Sequence, residues 1–130
     1  MDRTLMNQQH PIRVLIVGNH DLLRESLSNL MSIQPDMELV GTVLTNRDAI
    51  EQAVHLKPDV ALIDLSISEM ESLIPIQHFH QAFPHIPIIA TSGFPRRNLV
   101  ENMINAGVKR FIKRGDAAVS IVSAIREVCQ

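Results

Sequence analysis

Residues 58–65 read Pro58-Asp59-Val60-Ala61-Leu62-Ile63-Asp64-Leu65. Val60 to Ile63 form an unbroken apolar run between two aspartates, with a proline in front. A run this short, bounded by polar residues, predicts a strand over 59–64 that is buried on both faces, as central strands of parallel sheets are. Asp64 then stands where the strand leaves the core. The same pattern recurs on either side. Ile12-Arg13-Val14-Leu15-Ile16-Val17, stopped by Gly18-Asn19, predicts a first strand over 12–17. Met37 to Val43 predicts a second, Pro87-Ile88-Ile89-Ala90-Thr91 a fourth and Val108 to Lys113 a short fifth.

The segments between these runs carry the helical period. Leu23, Leu27, Leu30 and Met31 repeat at i, i+4, i+7 and i+8, one apolar stripe ended by Pro35-Asp36. Ala49, Ile50, Ala53 and Val54 mark a second helix, with Thr45-Asn46 as its turn and N-cap and Pro58 beyond its end. A third follows the loop from Ser66 to Glu71 and runs to about Phe83, with Ser72 as cap and Pro75 in its first turn. Leu99, Val100, Met103 and Ile104 stripe a fourth, closed by Ala106-Gly107 at a glycine C-cap. Ala118, Ile121, Val122 and Ile125 stripe the last. His78-Phe79-His80 lies on the third helix, where i and i+2 do not share a face, so it reads as surface rather than metal site.

Strands alternating with helices predict an α/β fold, a doubly wound five-stranded parallel sheet with helices on both faces. Right-handed crossovers favour the flavodoxin-like order 2-1-3-4-5. In that order the first and third strands are neighbours at the switch point. Gly18-Asn19, Asp64 and Thr91-Ser92 then meet in one crevice outside the carboxyl ends of the strands.

Composition narrows the function. The 130 residues are 45% hydrophobic and 20% charged, which suits one globular domain over residues 12–130 behind a polar, frayed tail at 1–11. The tail has no secretory core, and no apolar run approaches the ~20 residues of a membrane span. A net charge of −2 without a basic face argues against direct nucleic-acid binding. The single cysteine, Cys129, excludes an internal disulfide and suits a reducing compartment. The expected localisation is cytoplasmic.

Taken as a set, these pieces resemble the receiver domain of bacterial response regulators, in particular the NarL/LuxR type that precedes a LuxR-type helix-turn-helix. The first strand with His20 beyond it, the strand ending Ile63-Asp64-Leu65, Ile88-Ile89-Ala90-Thr91-Ser92, and Ala106-Gly107-Val108-Lys109-Arg110-Phe111-Ile112-Lys113 carry the likeness, in order, over residues 12 to 128. The resemblance implies a signalling domain rather than an enzyme. A histidine kinase would donate a phosphoryl group to Asp64, and Thr91 and Phe111 would relay the change. It also implies a homodimer or partner protein, no membrane, and a DNA-binding domain outside this chain.

Phosphoryl transfer to a carboxylate needs Mg²⁺ and a cation to neutralise charge at the reacting oxygens. The family's acidic pair falls here on Gly18 and Asn19, which removes two anionic ligands. Asp64 and the backbone carbonyl near Ser66 remain, so Mg²⁺ binding is expected to be weak or absent. Replacing Gly18 and Asn19 by Asp is expected to restore it. The family's lysine falls on Arg114 without a gap, or on Lys113 with one residue deleted, and alternation allows only one of them into the crevice. Ser92 is small enough to leave access open. Three readings follow: an atypical phosphoacceptor, a pseudo-receiver in which Lys113 or Arg114 pairs permanently with Asp64, and a small-anion or nucleotide binder at the Gly18-Asn19 turn. The last lacks a glycine-rich phosphate loop.

Overall fold

The computed structural model describes residues 10–18, 21–65, 73–93, 97–113 and 118–129. Its elements run β1 (Ile12–Val17), α1 (Asp21–Ser32), β2 (Met37–Val43), α2 (Asn46–Leu56), β3 (Val60–Leu65), α3 (Leu73–Ala82), β4 (Ile88–Ser92), α4 (Arg97–Ala106), β5 (Val108–Lys113) and α5 (Ala118–Val128). The strands form one parallel sheet in the order β2-β1-β3-β4-β5, the flavodoxin-like order read from the sequence. β3 and β4 each reach one residue further than the apolar runs suggest, to Leu65 and Ser92.

Alternation along the strands feeds two apolar layers. Leu15, Val17, Ala61, Ile63, Leu65, Ile88, Ala90 and Val108 face α2, α3 and α4, where Ala49, Ala53, Ile76, Phe79, Leu99 and Met103 meet them. Val14, Ile16, Val60, Leu62, Ile89 and Ile112 face α1 and α5, against Leu27, Met31, Ile121, Val122 and Ile125. Among the described side chains of the expected stripes, Val54 and Ile104 turn to solvent, 57% and 53% exposed. Each follows the inward residue of an i, i+4 pair (Ala49 and Ala53, Leu99 and Met103), and one step along a helix turns a side chain by about 100°.

Local chemistry sets the helix ends. The Thr45 hydroxyl accepts the Asp48 N–H at 3.1 Å, and Lys57, in the left-handed region, closes α2. Gly107 ends α4 with φ 119°, and its N–H donates to the Ile104 carbonyl. A Cβ at Gly107 would stand 2.4 Å from His80 Cγ, so the glycine serves the backbone turn and the packing of α3 together. His80, read as surface from its spacing, is therefore half-buried over Gly107.

Candidate functional site at the carboxyl ends of the strands

Asp64 is the penultimate residue of β3 and shares the α1–α5 side of the sheet with Val60 and Leu62. Its register partner on β4 is Thr91, on the same side as Ile89. Thr91 is 1% exposed, and a hydroxyl at that depth needs an acceptor. It donates to Asp64 Oδ1 at 3.0 Å. The bond joins two neighbouring strands where they leave the core.

The other wall is the end of β1. Val17 pairs with Ile63, so the next step along both strands brings Gly18 level with Asp64. The Gly18 N–H donates to the Val43 carbonyl at 2.9 Å, which holds this backbone in line with the sheet. A Cβ at Gly18 would lie 2.9 Å from Asp64 Cβ and 3.7 Å from Asp64 Oδ2. Only a residue without a side chain lets β1 come this close.

The remaining candidates separate. Ser92 is fully buried but pairs with Leu65, which places it on the α2–α4 side, away from the Asp64 carboxylate. Phe111 pairs with Ala90 and packs, half-buried, into that same layer, while Thr91 pairs with Ile112. Thr91 and Phe111 are thus one register step apart on opposite faces. Lys113 is exposed and alternates with Ile112, so it falls on the Phe111 side and not beside Asp64. Asn19, Ser66 and Arg114, and His20 with them, lie outside the described residues.

A profile of the response regulator receiver domain matches residues 14–126. The chain belongs to that family. It is 32% identical over 117 residues to the response regulator protein VraR of Staphylococcus saprophyticus, a match covering 90% of this chain and 56% of the relative. The chain thus spans about half the length of the curated relatives it matches. Among solved structures, the signal receiver domain of the NarL response regulator of Mycobacterium tuberculosis superposes with a TM-score of 0.82 at 21% identity, covering 92% of this chain and 97% of that one. A LuxR-family two-component response regulator from an Aurantimonas species superposes with a TM-score of 0.83 at 18% identity, covering 92% and 85%. At these identities the structures attest the fold.

Magnesium is the ion this family's chemistry implies, so the receiver's crevice can be tested for it. Mg²⁺ asks for several hard oxygen ligands in a near-octahedral shell. Gly18 brings no side-chain donor, and a ligand built out from it would begin inside the contact radius of Asp64 Cβ. Among the described residues, no group of three or more His, Cys, Asp or Glu could hold a metal ion. The described residues of this receiver do not fit a Mg²⁺ site. No helix among them is long and apolar enough to cross a membrane.

The sequence gathers Asp64 and Thr91 in one crevice and casts Thr91 as a relay, without the direct bond between them. The signal was available. Adjacent parallel strands with both residues at the exit end, on the same side, bring the two side chains within reach.

Proposed function

We propose that this receiver domain signals within a two-component system with little or no Mg²⁺-dependent phosphorylation of Asp64. It acts chiefly as a protein-interaction or dimerisation module. The observation that carries this reading is the contact of the Gly18 backbone with Asp64, where a side chain at position 18 would meet Asp64 Cβ at 2.9 Å. An acidic side chain at that position would require β1 or Asp64 to shift, which counts against the expectation that Asp at 18 and 19 restores the metal. Of the two basic candidates, the exposed position of Lys113 on the Phe111 side favours Arg114 as the residue that serves the crevice. A histidine kinase as upstream partner and a DNA-binding output domain belong to the same proposal. They rest on likeness to response regulators about twice as long as the matched span.

The test is incubation with acetyl phosphate and Mg²⁺ followed by intact-mass measurement. The expected result is no addition above that of Asp64→Ala. Near-complete modification of the wild type that disappears in Asp64→Ala would overturn the reading.

A further inference from the structure

We infer that the last turn of α5 is an ionic lock, in which Arg126 and Glu127 strap the helix across the entrance end of the sheet and keep the thiol of Cys129 half-buried. Asp64 lies at the other end of β3, so the lock stands or falls apart from any modification there.

Arg126 and Glu127 are neighbours, and one step along a helix turns a side chain by about 100°, so the two reach in different directions. Arg126 donates from Nε and Nη2 to the two oxygens of Asp36 at 2.8 and 3.0 Å, a guanidinium fork on a carboxylate. Its Nη2 also donates to Gln34 Oε1 at 3.0 Å. Asp36 leads into β2, at one edge of the sheet, and its backbone carbonyl accepts the Ile12 N–H at 2.8 Å. This anchor is therefore itself fastened to β1. Glu127 pairs with Arg110 of β5, the strand at the opposite edge. Val128 and Cys129 pack half-buried against the α1–α5 layer, and the Cys129 thiol lies 3.8 Å from the Asp59 carbonyl, just before the central strand β3. One turn is thus tied to both edges and the middle of the sheet. Helix ends tend to fray. Each ion pair is exposed and weak by itself, but the turn lifts only when both let go.

Cys129 is the chain's one cysteine, so its alkylation by iodoacetamide reports the lifting of this turn. Rates are measured at one pH on the full chain, for wild type and for Arg126→Ala, Glu127→Gln, Arg126→Ala/Glu127→Gln and Asp36→Ala/Arg126→Ala. Loss of one exposed ion pair speeds local opening about two- to threefold, so each single variant should react faster by that factor. Arg126→Ala/Glu127→Gln should react about fivefold faster than wild type, because the two substitutions break separate ties. Asp36→Ala/Arg126→Ala should react no faster than Arg126→Ala, because both break the same tie. Amide exchange in the core of β1 should keep its wild-type rate throughout, which separates lifting of the turn from global unfolding. A wild-type thiol rate in Arg126→Ala/Glu127→Gln, or a multiplied rate in Asp36→Ala/Arg126→Ala, would overturn the lock. So would a thiol that speeds up only in step with the core amides of β1.

Discussion

Strand β3 has one aspartate just before its entrance and another next to its exit, and the two hold the sheet in different ways. Asp59, at the entrance, accepts the backbone N–H of Arg13 at 2.9 Å, while its own N–H donates to the Arg13 carbonyl at 2.7 Å. The Arg13 guanidinium donates in turn to the Leu56 carbonyl at the end of α2, at 2.8 and 3.3 Å, and pairs with Glu38. Asp64, at the exit, takes one side-chain hydroxyl from Thr91 and abuts a glycine. At the entrance the carboxylate is bound to backbone, so its partner exists whenever the fold does. At the exit one of its contacts is a rotatable hydroxyl, joined side chain to side chain. One strand thus has an aspartate tied to backbone at its entrance and one tied to a side chain at its exit.

The largest effect that sharpens this contrast is expected at Gly18. Gly18→Ala places a Cβ against Asp64 and should cost about 2–3 kcal/mol, as overpacking of tight sites does. Urea unfolding measures it, and a neutral result would mean the exit end is loose. Asp59→Ala should cost about 1–2 kcal/mol, because the Arg13 N–H loses a charged acceptor. Asp59→Asn, which keeps an oxygen there, should recover roughly half of that loss in the same assay. If Asp59→Ala instead changed local exchange without changing global stability, the two aspartates would not differ as described.

A third prediction concerns Cys129, whose thiol lies 3.8 Å from the Asp59 carbonyl. Burial, helped by the Asp59 charge, pushes the thiol up to about 11. Its folded value lies above its ordinary 9.0, so the stability it contributes is complete below pH 9.0 and is lost as pH rises towards about 11. Unfolding midpoints across that window should fall, and Cys129→Ser should flatten the slope. The smallest effect is expected at Asp36, held below the usual carboxylate value by hydrogen bonds from Arg126, with Nη2 and Nε reaching its two oxygens at 3.0 and 2.8 Å. A lowered carboxylate contributes above its ordinary 3.8 and loses that contribution as pH falls through the folded value. The pair is exposed to solvent, so Arg126→Ala should shift acid unfolding by no more than about 0.5 kcal/mol.

Much of this was legible in the chain itself. The apolar run before Asp64, the order of the strands and the crevice that gathers Gly18, Asp64 and Thr91 all follow from periodicity and handedness. The approach of β1 to Asp64 does not, because a sequence states that Gly18 lacks a side chain without stating what comes near it. The face of Lys113 is a second instance. Strict alternation from Val108 would put Phe111 on the other side of the sheet from it. The β4–β5 register shifts between Ile88 and Ile89, however, and returns Phe111 to the same layer as Val108. One extra residue in an edge strand decided which basic side chain was eligible, and no pattern in 108–113 announces it. His80 escaped for a related reason: its contact with Gly107 joins two elements far apart in sequence.

The central claim is that the Asp64 crevice no longer assembles a metal-dependent acceptor site. It is tested most directly by two-dimensional amide NMR of the chain titrated with Mg²⁺ and beryllofluoride together. The account predicts that the resonances of Gly18, Asp64 and Thr91 stay in place through millimolar Mg²⁺. Saturable shifts at those three residues, abolished in Asp64→Ala, would contradict it.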